Sequence, residues 1–146
     1  MKRLIVALAL SLVPSSLHAG DRPIVSIEAR SLVTRDGRDL TRDLRDAVAR
    51  ELEGLDMTKA RKGARFTLSA SLTKLETNPR GDGVASRARV SLVLKEPKRG
   101  ALFAVIEGAA TAEGARAGDE QSERAALDGA VRGAMTGLPK AVAAAP

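Results

Sequence analysis

The sequence predicts a two-layer α/β sandwich, in which a four-stranded mixed sheet carries two helices on one face. Three observations support this class. Apolar and polar residues alternate in three consecutive stretches between residues 65 and 113, apolar residues with helical spacing lie before and after them, and a short strand pattern precedes the first helix. In the order strand-helix-strand-strand-strand-helix, each helix has one apolar stripe and the sheet has one apolar face. Such elements bury their apolar surfaces in two layers.

The first residues have the pattern of a secretory signal peptide. Lys2 and Arg3 precede the ten-residue apolar run LIVALALSLV, and a polar segment then leads to Ala19 at the expected cleavage edge. The run is too short to span a bilayer, and no lipid-anchor Cys follows it. We therefore expect a cleaved signal over residues 1–19, one domain over 20–142, a disordered tail over 143–146, and a periplasmic or secreted protein.

Composition restricts the chemistry of the mature chain. It has no Cys, and its single histidine, His18, lies in the signal, so Ser-His-Asp and Cys-His catalysis and nearly all structural zinc sites are excluded. The chain has two Phe and no Trp or Tyr, which is few for a site that binds sugars or bases by aromatic stacking. Loss of Lys2 and Arg3 lowers the formal charge from +6 to +4. We expect no enzyme, no cofactor, no metal and no nucleic-acid partner.

A short strand and a charged helix open the domain. Residues 24–29 (IVSIEA) alternate as a strand, and the apolar residues that follow have helical spacing: Leu40, Leu44, Ala47, Val48, Leu52 and Leu55. Asp39 or Thr41 is the expected cap, and Gly54 the expected end. The repeated Arg-Asp pairs are interpreted as a solvated, self-paired face rather than a metal or anion site. A helix between two strands requires a crossover, so these strands are parallel if they are neighbours.

Three alternating strands follow the helix. Their apolar faces are Phe66 to Leu72 in the first, Ala88 to Leu94 in the second, and Leu102 to Ala112 in the third. The links NPRGDG and EPKRG are short and rich in turn residues, which predicts an antiparallel meander. The alternation slips beside Lys74, and a bulge near Thr73 or Lys74 explains the slip. Phe103 and Val105 interrupt the polar side of the third strand and are expected to be half-exposed.

The last helix is predicted within residues 119–142, where Pro139 is expected to end it and KAVAAAP to form a frayed tail. It carries a stripe of small residues four apart: Ala125, Gly129, Gly133 and Gly137. Each glycine costs a helix about 1 kcal/mol, which indicates close backbone approach at this stripe. Close packing onto the sheet or the first helix is one explanation, and a groove for a partner is the other.

The polar side of the sheet is the main candidate interaction surface. It is expected to present hydroxyl and cationic side chains: Thr67, Ser69, Ser71, Thr73, Arg87, Arg89, Ser91 and Lys95. The surface is either an ordinary solvated sheet face or a docking site for a protein or an anionic envelope polymer.

Two short motifs are interpreted without a function. Ser71 and Lys74 fit the S-x-x-K pattern of penicillin-binding proteins, but residues three apart on a strand point to opposite faces. The tripeptide from Arg80 to Asp82 reads RGD at a hairpin tip, where a turn requires glycine in any case. A role for this tripeptide stays open.

The stretch from Ser69 to Glu76 (SASLTKLE) resembles a strand of the type G-S-[IL]-T-K-L-E, with Ala70 where glycine is frequent. Together with the polar hairpin and the Ala-rich final helix, it resembles penicillin-binding-protein activator lipoproteins and curli-secretion-type domains related to the N-terminal module of the Tol translocation protein. The resemblance implies a non-catalytic accessory domain of the bacterial envelope whose partner is an envelope protein. The alternative is an anion-binding module for cell-surface polysaccharide or lipid headgroups.

Overall fold

The computed structural model describes residues 22–146, so the predicted signal peptide lies outside the described residues. In chain order the elements are β1 (Ile24–Ser31), β2 (Thr34–Arg35), β3 (Arg38–Asp39), α1 (Thr41–Glu53), β4 (Phe66–Arg80), β5 (Gly83–Lys95), β6 (Leu102–Ala115), α2 (Asp119–Met135) and α3 (Leu138–Ala144). A single 3-10 turn, Arg116–Gly118, leads into α2. This arrangement confirms the predicted two-layer α/β class.

The main sheet has four strands in the order β1-β4-β5-β6. β1 is parallel to β4, whereas β4 with β5 and β5 with β6 are antiparallel. Both the mixed sheet and the parallel crossover around α1 are therefore as predicted. Helix α1 packs over β1 and β4, and α2 packs over β5 and β6. No described element covers the other sheet face, and we call it the open face.

A small hairpin, formed by β2 and β3, precedes α1 and was not predicted. Its turn is Asp36-Gly37, where both residues have positive φ, +50° and +75°. An Asp-Gly pair adopts this conformation readily. The hairpin ends at Asp39, whose Oδ1 accepts a 2.8 Å hydrogen bond from the backbone N–H of Thr41, the first residue of α1. Gly54 is the C-cap of α1, as expected.

The predicted bulge in β4 is present at Thr73. Leu72 pairs with Val90 and Lys74 pairs with Arg89, so one residue of β4 has no counterpart in β5. The extra residue keeps Leu75 on the core side after the alternation slips. The bulge thus preserves the buried face along a strand of fifteen residues.

A second register shift changes the start of β6. Leu94 pairs with Ala104 and Lys95 pairs with Leu102, which leaves Phe103 between them. Phe103 turns toward the core and packs edge-to-face on Phe66, with ring centroids 5.5 Å apart. Leu102 is consequently 61% exposed, so its predicted place on the apolar face is wrong.

The β4–β5 hairpin is tighter than predicted. Strand pairing continues through Asn78, Pro79 and Arg80, and the turn contains only Gly81 and Asp82. Gly81 has φ of +59°, a conformation that favours glycine. The segment NPRGDG is therefore mostly strand rather than link.

The core between the two layers depends on one close approach. A Cβ placed on Gly108 of β6 would lie 2.1 Å from the carbonyl oxygen of Ala130 and 2.5 Å from the amide nitrogen of Ala134. These are backbone atoms of α2, so the helix rests directly on the strand at this glycine. No larger residue allows this distance between α2 and β6.

The final helix is shorter than predicted and a third helix follows it. α2 ends at Met135, and Pro139 lies in the first turn of α3 instead of ending α2. Proline suits this position because a first-turn N–H has no intrahelical partner. Leu138 and Val142, one helical turn apart, are both buried, so this segment docks on the core rather than fraying. Within residues 22–146, no helix is long and apolar enough to cross a membrane.

Candidate interaction surfaces

The open face carries five of the residues singled out from the sequence. Ser69 and Ser71 lie on β4, and Arg87, Arg89 and Lys95 lie on β5. They alternate with buried residues of the same strands, which face the helices. Strand pleating alone therefore places these five side chains on the side that no helix covers.

Lys95 and Ser69 are engaged by an acidic residue that the sequence reasoning missed. Glu28 of β1 accepts hydrogen bonds at its Oε2 from Lys95 Nζ at 2.8 Å and from the Ser69 hydroxyl at 2.5 Å. The hydrogen bond from Lys95, then that from Ser69, holds the pKa of Glu28 below its ordinary value. Lys95 is thus half of an ion pair. Only the parallel pairing of β1 with β4 brings Glu28 here.

Arg87 and Arg89 are neighbouring free cations of this face, and Arg30 of β1 is a third. All three are exposed, and among the residues that the structure describes none of these guanidinium groups has an ion-pair or hydrogen-bond partner. Glu76 lies opposite Arg87 in the register, but its carboxylate contacts Lys74 Nζ at 3.0 Å. Arg87 and Arg89 therefore present adjacent positive charges to the solvent.

The other end of the open face is apolar. Val93 of β5 lies opposite Val105 of β6, and Lys95 lies opposite Leu102. Val105 is 55% exposed, and Leu102 is also largely exposed. The open face therefore joins an arginine pair to an apolar end on one flat surface.

Taken together, basic side chains moderately outnumber acidic ones on the open face. Six basic and four acidic side chains lie on it: Arg30, Lys74, Arg80, Arg87, Arg89 and Lys95, against Glu28, Glu76, Glu107 and Glu113. Lys74, Arg80 and Lys95 are paired with Glu76, Glu113 and Glu28. The face has a local positive site but no broad positive field.

The bulge at Thr73 places both residues of the S-x-x-K motif on the same side of the sheet. Ser71 pairs with Ser91 and Lys74 pairs with Arg89, so both side chains lie on the open face. The expectation that they point to opposite faces is wrong, because the bulge adds one residue between them. Lys74 Nζ contacts Glu76, not Ser71.

The glycine stripe packs mainly on β6. A Cβ on Gly129 would lie 2.8 Å from the Ala110 Cβ, and one on Gly137 would lie 3.1 Å from Ile106 Cγ2. Gly133 is exposed, and a Cβ there would meet nothing within 4 Å. Gly129 and Gly137 thus serve close packing onto the sheet, and Gly133 alone faces open space.

The RGD tripeptide lies at the β4–β5 turn. Arg80 Nη1 contacts Glu113 Oε1 at 2.6 Å, which ties the arginine to β6. Gly81 and Asp82 form the exposed tip.

A buried polar cluster joins the β2–β3 hairpin to the sheet and α2. Glu123 of α2 is 6% exposed, and its Oε1 lies 2.8 Å from Arg35 Nε and 2.7 Å from the Thr77 hydroxyl. The hydroxyls of Ser86 and Ser122 extend the network. Because every member has a partner, the cluster stabilises the packing of these elements.

A groove between β1 and α1 is the other concave feature that sequence reasoning missed. It has a volume of about 620 Å³ and is lined mainly by apolar side chains, including Ile24, Val25, Leu52, Leu55 and Met57. Residues of β1, of the end of α1 and of the loop after α1 form its walls.

No protein-family model matches the chain, and no curated protein matches it. Several solved structures share its fold, among them the following three. A candidate lipoprotein from Caulobacter crescentus CB15 has TM-score 0.51 and 16% identity, over 85% of this chain and 90% of that one. A dodecamer of a PelC variant from Paraburkholderia phytofirmans has TM-score 0.55 and 14% identity, over 81% and 86%. The protein CT253 from Chlamydia trachomatis has TM-score 0.57 and 11% identity, over 83% and 98%.

At these identities the likeness shows a shared fold. One structure with that fold is a candidate lipoprotein, which agrees with the expected resemblance to envelope lipoproteins in general. The likeness does not point to penicillin-binding-protein activators in particular. The chain therefore has a known α/β architecture, and its function has to be argued from its own surface.

Proposed function

We propose that the chain is an exported, non-catalytic accessory domain of the cell envelope that binds a protein partner through its open face. One observation carries the proposal. Arg87 and Arg89 are exposed without a carboxylate partner in the described part of the chain, and exposed Val105 lies on the same uncovered face. Protein interfaces are enriched in arginine beside apolar residues. The expected partner presents carboxylates toward the arginines and apolar side chains toward Val105.

The leader pattern supports export, and the composition of the chain supports a role without catalysis. The basic start and apolar run at residues 1–19 are typical of a secretory signal. A mature chain without His or Cys lacks the usual general base and the usual thiol nucleophile. Lys74, the one base suggested by a motif, is in contact with Glu76.

The alternative partner is an anionic polysaccharide or a lipid headgroup, which the free arginines would also attract. The four carboxylates interspersed among the basic side chains of the open face favour a protein, because polyanion binding relies on a broad positive field. Salt separates the two: polymer binding weakens steeply as the Debye length falls from about 10 Å at 0.1 M to about 3 Å at 1 M. A partner held partly by apolar contacts weakens much less.

The experiment is photo-crosslinking in intact cells from a reactive residue at Ser91, in the middle of the open face. We expect one reproducible envelope protein to be captured in the wild type and lost in the double variant Arg87→Ser, Arg89→Ser. The matched control is Arg42→Ser, Arg45→Ser, which removes two exposed arginines from α1 on the opposite side. Equal capture in both double variants would contradict the proposal. Capture of no protein, with salt-sensitive binding of purified envelope polymer, would favour the alternative.

A further inference from the structure

Strand β6 forms a long, unpaired edge of the sheet. It has fourteen residues, and among the described residues it pairs with β5 alone. Within residues 22–146, no loop or side chain hydrogen-bonds to the outer backbone of β6. A row of free N–H and C=O groups of this length is a template for another strand.

Beyond the irregularity at Phe103, the edge also lacks most of the devices that usually prevent such pairing. Sheet edges are commonly blocked by lysine, proline, inward-pointing charges or short strand length. From Ala104 to Ala115, β6 contains neither lysine nor proline. Its two charged residues, Glu107 and Glu113, lie on the open face and do not obstruct the backbone. The other edge strand, β1, has only eight residues.

Helix α2 leaves room for a second copy beside β6. Asp128 and Arg132 on one flank pair with Arg50 and Glu51 of α1, whereas the flank toward β6 carries Gly129, packed on Ala110. No side chain at Ala125, Gly129 or Gly133 exceeds a methyl group.

If a second copy pairs its β6 with this β6, the two α2 helices come within packing distance of each other. Strands in a sheet are about 4.8 Å apart, and α2 lies over the seam of β5 and β6. Two copies of α2 related by a twofold axis beside β6 would then be about 10 Å apart. This separation is at the upper end of the usual range for packed helices.

We propose that two copies of this chain associate by antiparallel pairing of β6 with β6, which forms one continuous eight-stranded sheet. A twofold axis at Ala109 places Glu107 opposite Thr111 of the partner subunit and Val105 opposite Glu113 of the partner subunit. An axis at Ala110 would instead oppose Glu107 to Glu113 of the partner subunit, and like charges directly opposite are unfavourable. The charge pattern therefore favours the Ala109 register over the Ala110 register.

The test uses substitutions at Ala109, the residue on the twofold axis. Ala109 is exposed and lies opposite Arg89 of its own chain. In the monomer the carboxylate of Ala109→Glu therefore faces a cation and should not destabilise the fold. In the dimer it places two carboxylates face to face, and we expect association to weaken by up to about fivefold. The control is Ser71→Glu, which adds the same charge opposite Arg30, two strands from the edge. Association is measured by sedimentation velocity of the purified protein over a range of concentrations.

A mixing experiment makes the test specific to this axis. Ala109→Glu and Ala109→Lys proteins should each associate weakly alone, and an equal mixture should form a heterodimer of opposite charges. Wild-type protein that stays monomeric at every concentration would overturn the proposal. So would an Ala109→Glu dimer as tight as the wild type, an equal mixture that does not associate, or an assembly of more than two copies that is insensitive to this substitution.

Discussion

The contact between β6 and α2 at Gly108 predicts a large and unusually specific loss of stability. In Gly108→Ala the added methyl group would lie 2.1 Å from the Ala130 carbonyl oxygen and 2.5 Å from the Ala134 nitrogen. Real Cβ atoms essentially never come so close to other atoms. Because both neighbours are helix backbone, no rotamer change relieves the clash and α2 has to move away from the sheet.

The expected magnitude follows from overpacking in other cores. Inserting a methylene into a packed interior typically costs about 1–3 kcal/mol, and occasionally more. A clash with rigid backbone belongs at the upper end, so we expect Gly108→Ala to lower the free energy of unfolding by about 3 kcal/mol. This is a large part of the roughly 5–15 kcal/mol that stabilises a typical domain. With a urea m-value of about 2 kcal/mol per M, the unfolding midpoint falls by about 1.5 M.

Gly133→Ala is a matched control in the helix that Gly108 contacts. A Cβ at Gly133 meets nothing within 4 Å, so only the helix propensity changes. Alanine in place of a helical glycine should raise the free energy of unfolding by up to about 1 kcal/mol. The same chemical change therefore has opposite signs at the two positions.

The assay is urea unfolding followed by far-ultraviolet circular dichroism, because the chain has no Trp or Tyr for fluorescence. An unchanged midpoint for Gly108→Ala would refute the close approach of α2 to β6. A loss of stability in Gly133→Ala would show that the outer flank of α2 is not open as described.

Two other predictions concern carboxylates in different surroundings. Glu123→Ala should lower the free energy of unfolding by about 2 kcal/mol, because it removes a buried partner of the half-exposed Arg35. Glu120→Ala removes an exposed ion-pair partner and should cost less than about 1 kcal/mol; equal losses in thermal unfolding would contradict the difference. The lowered pKa of Glu28 means that its ion pair is complete above pH 4.5 and its stabilising effect disappears as pH falls through the lowered pKa. In Lys95→Met an NMR titration should show the Glu28 pKa rising toward 4.5, and an unchanged pKa would exclude Lys95 as its main cause.

The elements could be predicted from the sequence because each depends on residues close together in the chain. Apolar alternation located β4 and β5, helical spacing located α1, and the slip beside Lys74 located the bulge. Ser69 and Arg89 could likewise be assigned to one sheet face, because pleating alternates side chains whatever the strand pairs with. The errors in β6 came from a register shift, which is set by pairing with β5 rather than by β6 itself.

The tertiary structure decided which surface side chains have a partner and which are free. The sequence presents Lys95 and Arg89 as equivalent cations, but the parallel strand β1 brings Glu28 to Lys95 and leaves Arg89 without a partner in the described chain. Likewise, the residues around Gly108 in the sequence do not indicate that a helix packs on it. The contacting residues, Ala130 and Ala134, come more than twenty positions later in the chain. Strand order and layer packing join residues that are distant in the chain. Local periodicity specifies which way a side chain points, and only the assembled sheet determines what it meets there.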